Sequence, residues 1–517
     1  MKSDKSTKLT IFSNKRRTNR PLIGKRRKEN SMEKKDLKPA GVFKYFEEIC
    51  QVPRPSKKEE KIIAYLKAFG EKQNLETQVD EAGNVLIKKP ATPGKENLKT
   101  VILQSHIDMV CEKNSDVQHD FLTDPIEIVI DGEWMKANGT TLGADNGIGV
   151  ATELAILADN SIEHGPLECL FTVDEETGLT GAFELKEGFL SGDILINLDS
   201  EDEGELYIGC AGGIDSVAEF TYKEIDVPAG YFFFKVEVKG LKGGHSGGDI
   251  HLGRGNANKI LNRYLNRIAA KHDLYLCEIH GGNLRNAIPR EAYAICAVPE
   301  DAKHDVRTEV NIFASEIENE LAVTEPDLKL VLESESPREK AIDQDTTTRL
   351  LKALYAVPHG VNAMSQDIPG LVETSTNLAS IKMKPNHVIR IETSQRSSIL
   401  SSRDDMANTV RAAFQLAGAT VTFGDGYPGW KPNPHSAILQ VASESYKRLF
   451  NVEPLVKAIH AGLECGLFLD KYPHLDMVSF GPTMTGVHSP DERMLIPTVD
   501  KFWKHLLDIL AHIPAKK

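Results

Sequence analysis

The chain has 517 residues, 40% hydrophobic and 26% charged, with a formal net charge of -13. That length exceeds one average domain, so two or three are expected, and the composition is that of a globular enzyme. The acidic surplus argues against a nucleic-acid binder, whose footprint would be basic, and no apolar run is long enough to span a bilayer.

The first 31 residues stand apart, with eleven Lys/Arg against two acidic residues and no apolar period. They read as a basic tail: a surface for nucleic acid or membrane, or, more simply, a disordered extension or upstream mis-start before a domain that begins at Met32. Seven scattered cysteines without a C-x-x-C pair imply reduced thiols and a cytoplasmic location. No secretory segment is expected.

From Leu37 the pattern is helical, with Val42, Phe43, Phe46 and Ile49 at three- and four-residue steps. Ser56-Lys57-Lys58-Glu59 matches a capping box that opens a helix over 59–72. Val85-Leu86-Ile87 and Val101 to Ser105 read as strands, the second running into His106-Ile107-Asp108. Residues two apart on an extended chain face the same way, so His106 can hold a metal while Asp108 orients its ring. An ordinary strand end fits H-x-D equally.

Three glycines around Asp145-Asn146 imply a tight backbone before a helix with Val150, Leu154, Ile156 and Leu157 at core spacing. Asp145 is either an N-cap or a carboxylate able to bridge two cations. The apolar run Leu167 to Val173 ends at Asp174-Glu175-Glu176. Three adjacent carboxylates repel one another, so a compensating positive charge is expected nearby. On an extended chain Glu176 would hold a metal while Glu175, facing the other way, serves as general base; a solvated acidic turn is the alternative. Ile194 to Leu198 is the next buried strand, ended by Asp199. His106, Glu176 and Asp199 each follow a short apolar run bounded by helices, which implies a mainly parallel sheet with its site at the carboxyl ends of the strands.

Beyond Gly213 the pattern changes. Strands over 232–238, 273–279, 292–298, 387–392 and 420–423 alternate with helices over 256–270, 306–321, 346–355 and 405–417. They surround the stretches that carry His245, Asn286 and Arg396. No fixed-period repeat is visible. A helix over 436–449, a strand, turn and helix start around His460 to Gly466, a strand over 477–481 and a loop with His488 complete the chain. The expected architecture is α/β: a mixed, mostly parallel sheet sandwiched by helices, with an inserted α+β lid. The expected boundaries are 1–31 for the tail, 32–213 and 429–517 for the catalytic domain, and 214–428 for the lid.

His106, Asp145, Glu176, Asp199 and His488 are N/O donors of the kind zinc takes in hydrolases. Two imidazoles and three carboxylates suit two metals with one bridging carboxylate, which leaves Glu175 free to take a proton from water. The chain resembles the M20 metallopeptidases, most closely their cytosolic Xaa-His (aminoacyl-histidine, non-specific) dipeptidase branch. The stretches that carry this include Ser105 to Asn114, Thr141 to Gly147, Asp174 to Gly178, Asn197 to Glu201, Gly243 to Gly247 and His460 to Gly466. The resemblance runs from Met32 to the C-terminus.

It implies a zinc-exopeptidase catalytic fold and two zinc ions, which cobalt or manganese could replace. His106 and Asp199 would hold one, Glu176 and His488 the other, with Asp145 bridging and followed by a cis peptide to Asn146. Asp108 would orient His106, and Glu175 would be general base and acid. His245 would polarise the scissile carbonyl, Arg396 grip the substrate's terminal carboxylate and Asn286 hydrogen-bond the substrate. His245 also fits a turn residue, and Arg396 a surface ion pair. The implied activity is hydrolysis of unblocked dipeptides, Xaa-His included. Small peptides would be the partners, with no nucleic acid or membrane, and a homodimer could form through the lid. A related tripeptidase, an N-acyl amino acid deacylase and an inactive metal-binding protein are the alternatives.

Overall fold

Three short apolar runs of the first two hundred residues form the centre of one sheet. Strands Val101–His106, Leu167–Thr172 and Ile194–Asn197 are buried at every position, as parallel strands covered on both faces are. In this computed structural model, which describes residues 37–516, the expected basic tail lies outside the described residues. The eight-stranded sheet runs in the order Glu76–Val79, Val85–Lys89, Leu167–Thr172, Val101–His106, Ile194–Asn197, Asp476–Ser479, Glu205–Cys210, Leu455–Ile459. The four strands from Leu167–Thr172 to Asp476–Ser479 pair in parallel, while the Glu76–Val79 side and the junction at Glu205–Cys210 are antiparallel. Helices Ala40–Cys50 and Ala144–Ala158 pack together, as do Ala437–Phe450 and Ile496–Ala511. The expected α/β architecture with an α+β lid is what the chain forms. Among the described residues no helix is long and apolar enough to cross a membrane.

A second sheet is antiparallel throughout and holds an internal repeat that the sequence does not display. Its order is Lys329–Ser334, Tyr231–Lys239, Ala292–Pro299, Tyr275–Gly281, Val372–Lys384, Val388–Ser397, Gly212–Thr221, Thr420–Phe423. Each half is a β-α-β-β-α-β unit with spatial order 4-1-3-2. One unit carries helices Ala257–Ala269 and Lys303–Glu320; the other carries Gln344–Ala356 and Leu400–Leu416. The first unit is inserted between the first strand and first helix of the second. The equivalent edges of the two meet antiparallel at Gly281 and Ile381. One hydrophobic core draws on residues from Leu37 to Cys210 and from Trp430 to Ile513, and another on residues from Ala218 to Ala419.

Two local expectations are corrected. The Ser56 hydroxyl donates to Asp108 Oδ2 at 2.7 Å rather than capping a helix, and Glu59 accepts the Lys57 N–H at 2.8 Å, so no capping box forms before helix Glu60–Lys72. The acidic triplet is not extended: Asp174 is left-handed (φ 49°) and Glu175–Gly178 is one helical turn. The two glutamates diverge because neighbouring side chains on a helix point in different directions, not through strand alternation.

Strand Val372–Lys384 was not expected at all. Its residues 374–380 are buried and mostly Ser, Thr and Asn. They are paired inside the protein: Thr374 with Ser397 at 2.9 Å, Ser375 with His460 Nε2 at 2.7 Å, and Asn377 with the Ala287 carbonyl at 2.8 Å. A buried strand satisfied by polar partners has no apolar alternation to read.

Candidate metal centre

The register places the donors side by side. His106 pairs opposite Thr172 and Gln104 opposite Asn197, so the His106, Asp174-Glu176 and Asp199 segments leave the sheet at one edge. His488 comes from the loop between Met484–Thr485 and Arg493–Leu495, held in a small sheet with Trp134–Ala137. It is itself left-handed (φ 61°), a conformation uncommon for a side-chain-bearing residue and frequent at functional sites.

The five expected donors converge. His106 Nε2 lies 3.0 Å from Asp145 Oδ1 and 3.4 Å from Asp199 Oδ1. His488 Nε2 lies 3.2 Å from Asp145 Oδ2 and 3.0 Å from Glu176 Oε2. Each imidazole thus faces one oxygen of Asp145 and one further carboxylate. Bonds of about 2.1 Å to a tetrahedral cation put neighbouring donors about 3.4 Å apart, so both groups fit an ion of that size. Among the described residues Glu176 Oε1 is buried with no hydrogen-bond partner, which fits an atom that would ligate a cation. The Asp145 side chain turns to the imidazoles rather than to a helix end: both its oxygens face histidines, and its backbone (φ -81°, ψ 112°) is non-helical at a kink near the start of Ala144–Ala158. The Asp145-Asn146 peptide is cis.

The charges show what a cation would balance. Burial opposes charge on His106, but Asp199, Asp108 and Asp145 outweigh it and raise the imidazole. Hydrogen bonds to Asp145 and Glu176 carry His488 up to about 11. Burial pushes Asp199 up to about 6 and Glu201 up to about 8, both helped by neighbouring carboxylates. Burial also pushes Glu175 well above the usual carboxylate range, with Asp199, Glu176 and Glu464 adding to it against the pull of His106. The positive charge expected beside the acidic triplet is thus His488, together with any bound cation.

Behind the donors, Asp108 stands 3.3 Å from His106 Nδ1. It accepts the Glu175 and Glu176 N–H groups at 3.0 and 3.3 Å. Three supports escaped the sequence reading. Glu492, fully buried, accepts the N–H groups of Leu142, Gly143 and Ala144 at 2.7, 3.0 and 2.8 Å, and so holds the Asp145 loop. Arg54 donates to the carbonyls of Ile107, Asp108 and Gly143 at 3.1, 2.8 and 2.5 Å. A Cβ at Gly143 (φ 68°) would sit 2.6 Å from Arg54 Nη2, so only glycine fits there. Glu464, fully buried, accepts from Gln104 and Thr172 at 2.6 and 2.8 Å, and burial pushes it up to about 8.

The second sheet supplies the facing wall. His245 and Asn286 come from the inserted unit, Arg396 from the strand Val388–Ser397 of the other. Burial and the Arg396 charge hold His245 down to about 4, so its ring is neutral at pH 7. Gly248 and Gly247 donate their N–H groups to Nδ1 at 3.0 and 3.3 Å, which leaves the proton on Nε2 as a donor. His245, Asn286 and Glu175 line one cavity of about 430 Å³ with Asp145, Asp199 and His488. Arg396 lines an adjoining cavity of about 790 Å³ that shares Glu176 and Asn286 with the first. Its Nη1 donates to the Tyr427 hydroxyl at 2.9 Å, and among the described residues its buried Nε has no partner.

A paired set of imidazole and carboxylate donors at the carboxyl edge of a mostly parallel sheet, roofed by a second domain, defines a metal-dependent hydrolase. The model of peptidase family M20/M25/M40 matches residues 102–512, and the chain belongs to that family of peptide-bond hydrolases. It is 48% identical over 480 residues to the cytosol non-specific dipeptidase of Escherichia coli (strain K12), covering 93% of this chain and 99% of that one. The crystal structure of an aminoacylhistidine dipeptidase from Vibrio alginolyticus superposes with a TM-score of 0.86 at 46% identity, covering 94% and 99% of the two chains. Aminopeptidase PepT from Bacillus cereus shares the fold, with a TM-score of 0.58 at 16% identity over 92% of this chain and 99% of its own. Family membership implies divalent metal binding, which the donor set fits.

Proposed function

We propose that this chain is a di-zinc dipeptidase that hydrolyses unblocked dipeptides, Xaa-His dipeptides among them. The observation that carries the reading is Asp145, whose two oxygens face two different imidazoles, each with its own second carboxylate. The names of the Escherichia coli and Vibrio alginolyticus relatives support the dipeptide substrate. In this reading His106 and Asp199 would hold one ion and His488 and Glu176 the other, with Asp145 shared between them.

Divalent ions held there would supply Lewis acidity to the scissile carbonyl and to a neighbouring water. Glu175, its proton affinity raised by burial, takes the proton of the attacking water and passes it to the leaving amine. His245 donates from Nε2 to the oxygen on which negative charge develops. Arg396 offers its planar fork to the C-terminal carboxylate of the substrate, and Asn286, at the junction of the two cavities, hydrogen-bonds the backbone between them. The domain over 214–428 serves as the lid, and a closed cleft with an anchor for each end admits two residues and no more. All these groups belong to one chain, so the homodimer implied by the resemblance is not required to complete the cleft. The cytoplasmic location expected from the thiols agrees with the name of the Escherichia coli relative.

The test is a panel of free dipeptides, a tripeptide and an N-acyl amino acid, assayed after chelation and again after zinc, cobalt or manganese is returned. Dipeptide turnover that vanishes with chelation and returns with two metal equivalents is the expected result. Preferential cleavage of the tripeptide or the N-acyl amino acid would replace the proposal.

A further inference from the structure

Resting on the dipeptidase reading, we propose that Glu201 is the anchor for the substrate's free α-ammonium group, and hence the residue that makes the enzyme require an unblocked N-terminus. The direction of the substrate comes first. With its carboxylate at Arg396, a dipeptide crosses the junction at Glu176 and Asn286 and places its N-terminal residue in the 430 Å³ cavity. That cavity is walled by six carboxylates and contains no Lys or Arg; the two ions of the dipeptidase reading would offset Asp145, Glu175, Glu176 and Asp199, which leaves Glu201 and Asp202 to favour a cationic end.

Five of the six carboxylates have other work. Asp145, Glu176 and Asp199 face the imidazoles, Glu175 is assigned to the water, and Asp202 lies 3.5 Å from the Tyr207 hydroxyl at the exposed rim. Glu201 is half-buried and, among the described residues, its carboxylate takes part in no side-chain hydrogen bond or ion pair. Its backbone is fixed all the same, because its carbonyl accepts the Met484 N–H at 2.9 Å. A carboxyl group held at the cavity wall with no protein partner has its oxygens free to accept N–H bonds from a cationic group that arrives with the substrate. Beside Ser200 and Tyr207, this wall is completed by Ile459, Ala461, Gly462 and Leu463, which offer shape and no charge to the first side chain. Recognition there falls on the ammonium group and leaves the side chain free to vary.

The experiment compares Ala-Ala with its des-amino counterpart, N-propionyl-alanine, on the metal-loaded enzyme. Wild type should prefer Ala-Ala strongly. Glu201→Gln should lower the ratio of the two kcat/KM values by about 10- to 100-fold, the worth of a hydrogen bond to a charged group. Most of the loss should fall on KM for Ala-Ala, with metal content equal to that of wild type. Glu201→Asp should recover part of the ratio, which a purely structural role would not do, and Asp202→Asn should keep it. An unchanged ratio in Glu201→Gln, equal losses on both substrates, or a collapse in Asp202→Asn alone overturns the assignment. Failure of wild type to cleave Ala-Ala at all would instead overturn the dipeptidase reading on which it rests.

Discussion

Asp108 accepts the backbone N–H of Glu175 at 3.0 Å. The same carboxylate stands 3.3 Å from the ring of His106 and takes the Ser56 hydroxyl at 2.7 Å. One buried side chain therefore sets the position of a donor on one strand relative to the acidic turn on the next. Asp108→Asn removes the charge and an acceptor from both. Metal affinity should fall about 10- to 100-fold, as it does when a carboxylate behind a ligating histidine is lost. Metal retained after dialysis, with circular dichroism as a check on folding, measures it.

Glu175 and Glu176 are adjacent, yet only Glu176 lies against an imidazole, with its Oε2 3.0 Å from His488 Nε2. Glu175→Ala is expected to abolish turnover, by a factor of about 10³ or more, with metal content near wild type. Glu176→Ala is expected to lose metal. Equal metal loss in both variants would refute the division of roles.

The Glu492 carboxylate collects three backbone N–H groups of the Asp145 loop within 3.0 Å. Glu492→Ala leaves those buried donors without a partner and should destabilise the fold by about 2–4 kcal/mol. Because the loop carries Asp145, the proposed bridge, metal should also be released at lower chelator concentration. Urea denaturation with and without metal separates the two effects.

Arg396 is buried, and among the described residues its Nε has no hydrogen-bond partner. Arg396→Lys keeps the charge but loses the planar fork. It should raise KM for free dipeptides about 10- to 100-fold while changing KM for the corresponding dipeptide amides much less. Parallel effects on acid and amide would remove the carboxylate from Arg396.

His505 is buried with its Nε2 2.8 Å from the Ala442 carbonyl, and burial holds it down to about 4. The unfolded chain binds a proton there near pH 6.5, so between about pH 4 and 6.5 it holds more protons than the folded protein. The contribution of this residue is therefore fully present above about pH 6.5 and is lost as pH falls towards 4. Its size is on the order of 3 kcal/mol. Chemical denaturation at pH 7.5 and 5 should show the loss, and His505→Gln, which cannot take up the proton, should show a smaller one.

The sequence by itself determined the alternation of apolar runs and helices in the first two hundred residues, and the places where His106, Glu176 and Asp199 end those runs. These features are local: burial on both faces forces continuous apolar strands, and a donor at a strand end stands next to the run that names it. His488 is different, because nothing in its loop marks it as a donor except the company it joins. Tertiary structure alone decided that Ser56 serves Asp108 instead of a helix end, and that Glu492 closes on a loop almost 350 residues away in the chain. It also decided that the lid consists of two units of one design, the first inserted within the second. Contacts with backbone amides and carbonyls place no demand on the partner's side chain. Strands satisfied by buried Ser, Thr and Asn carry no hydrophobic period. For both reasons, only the folded chain reveals them.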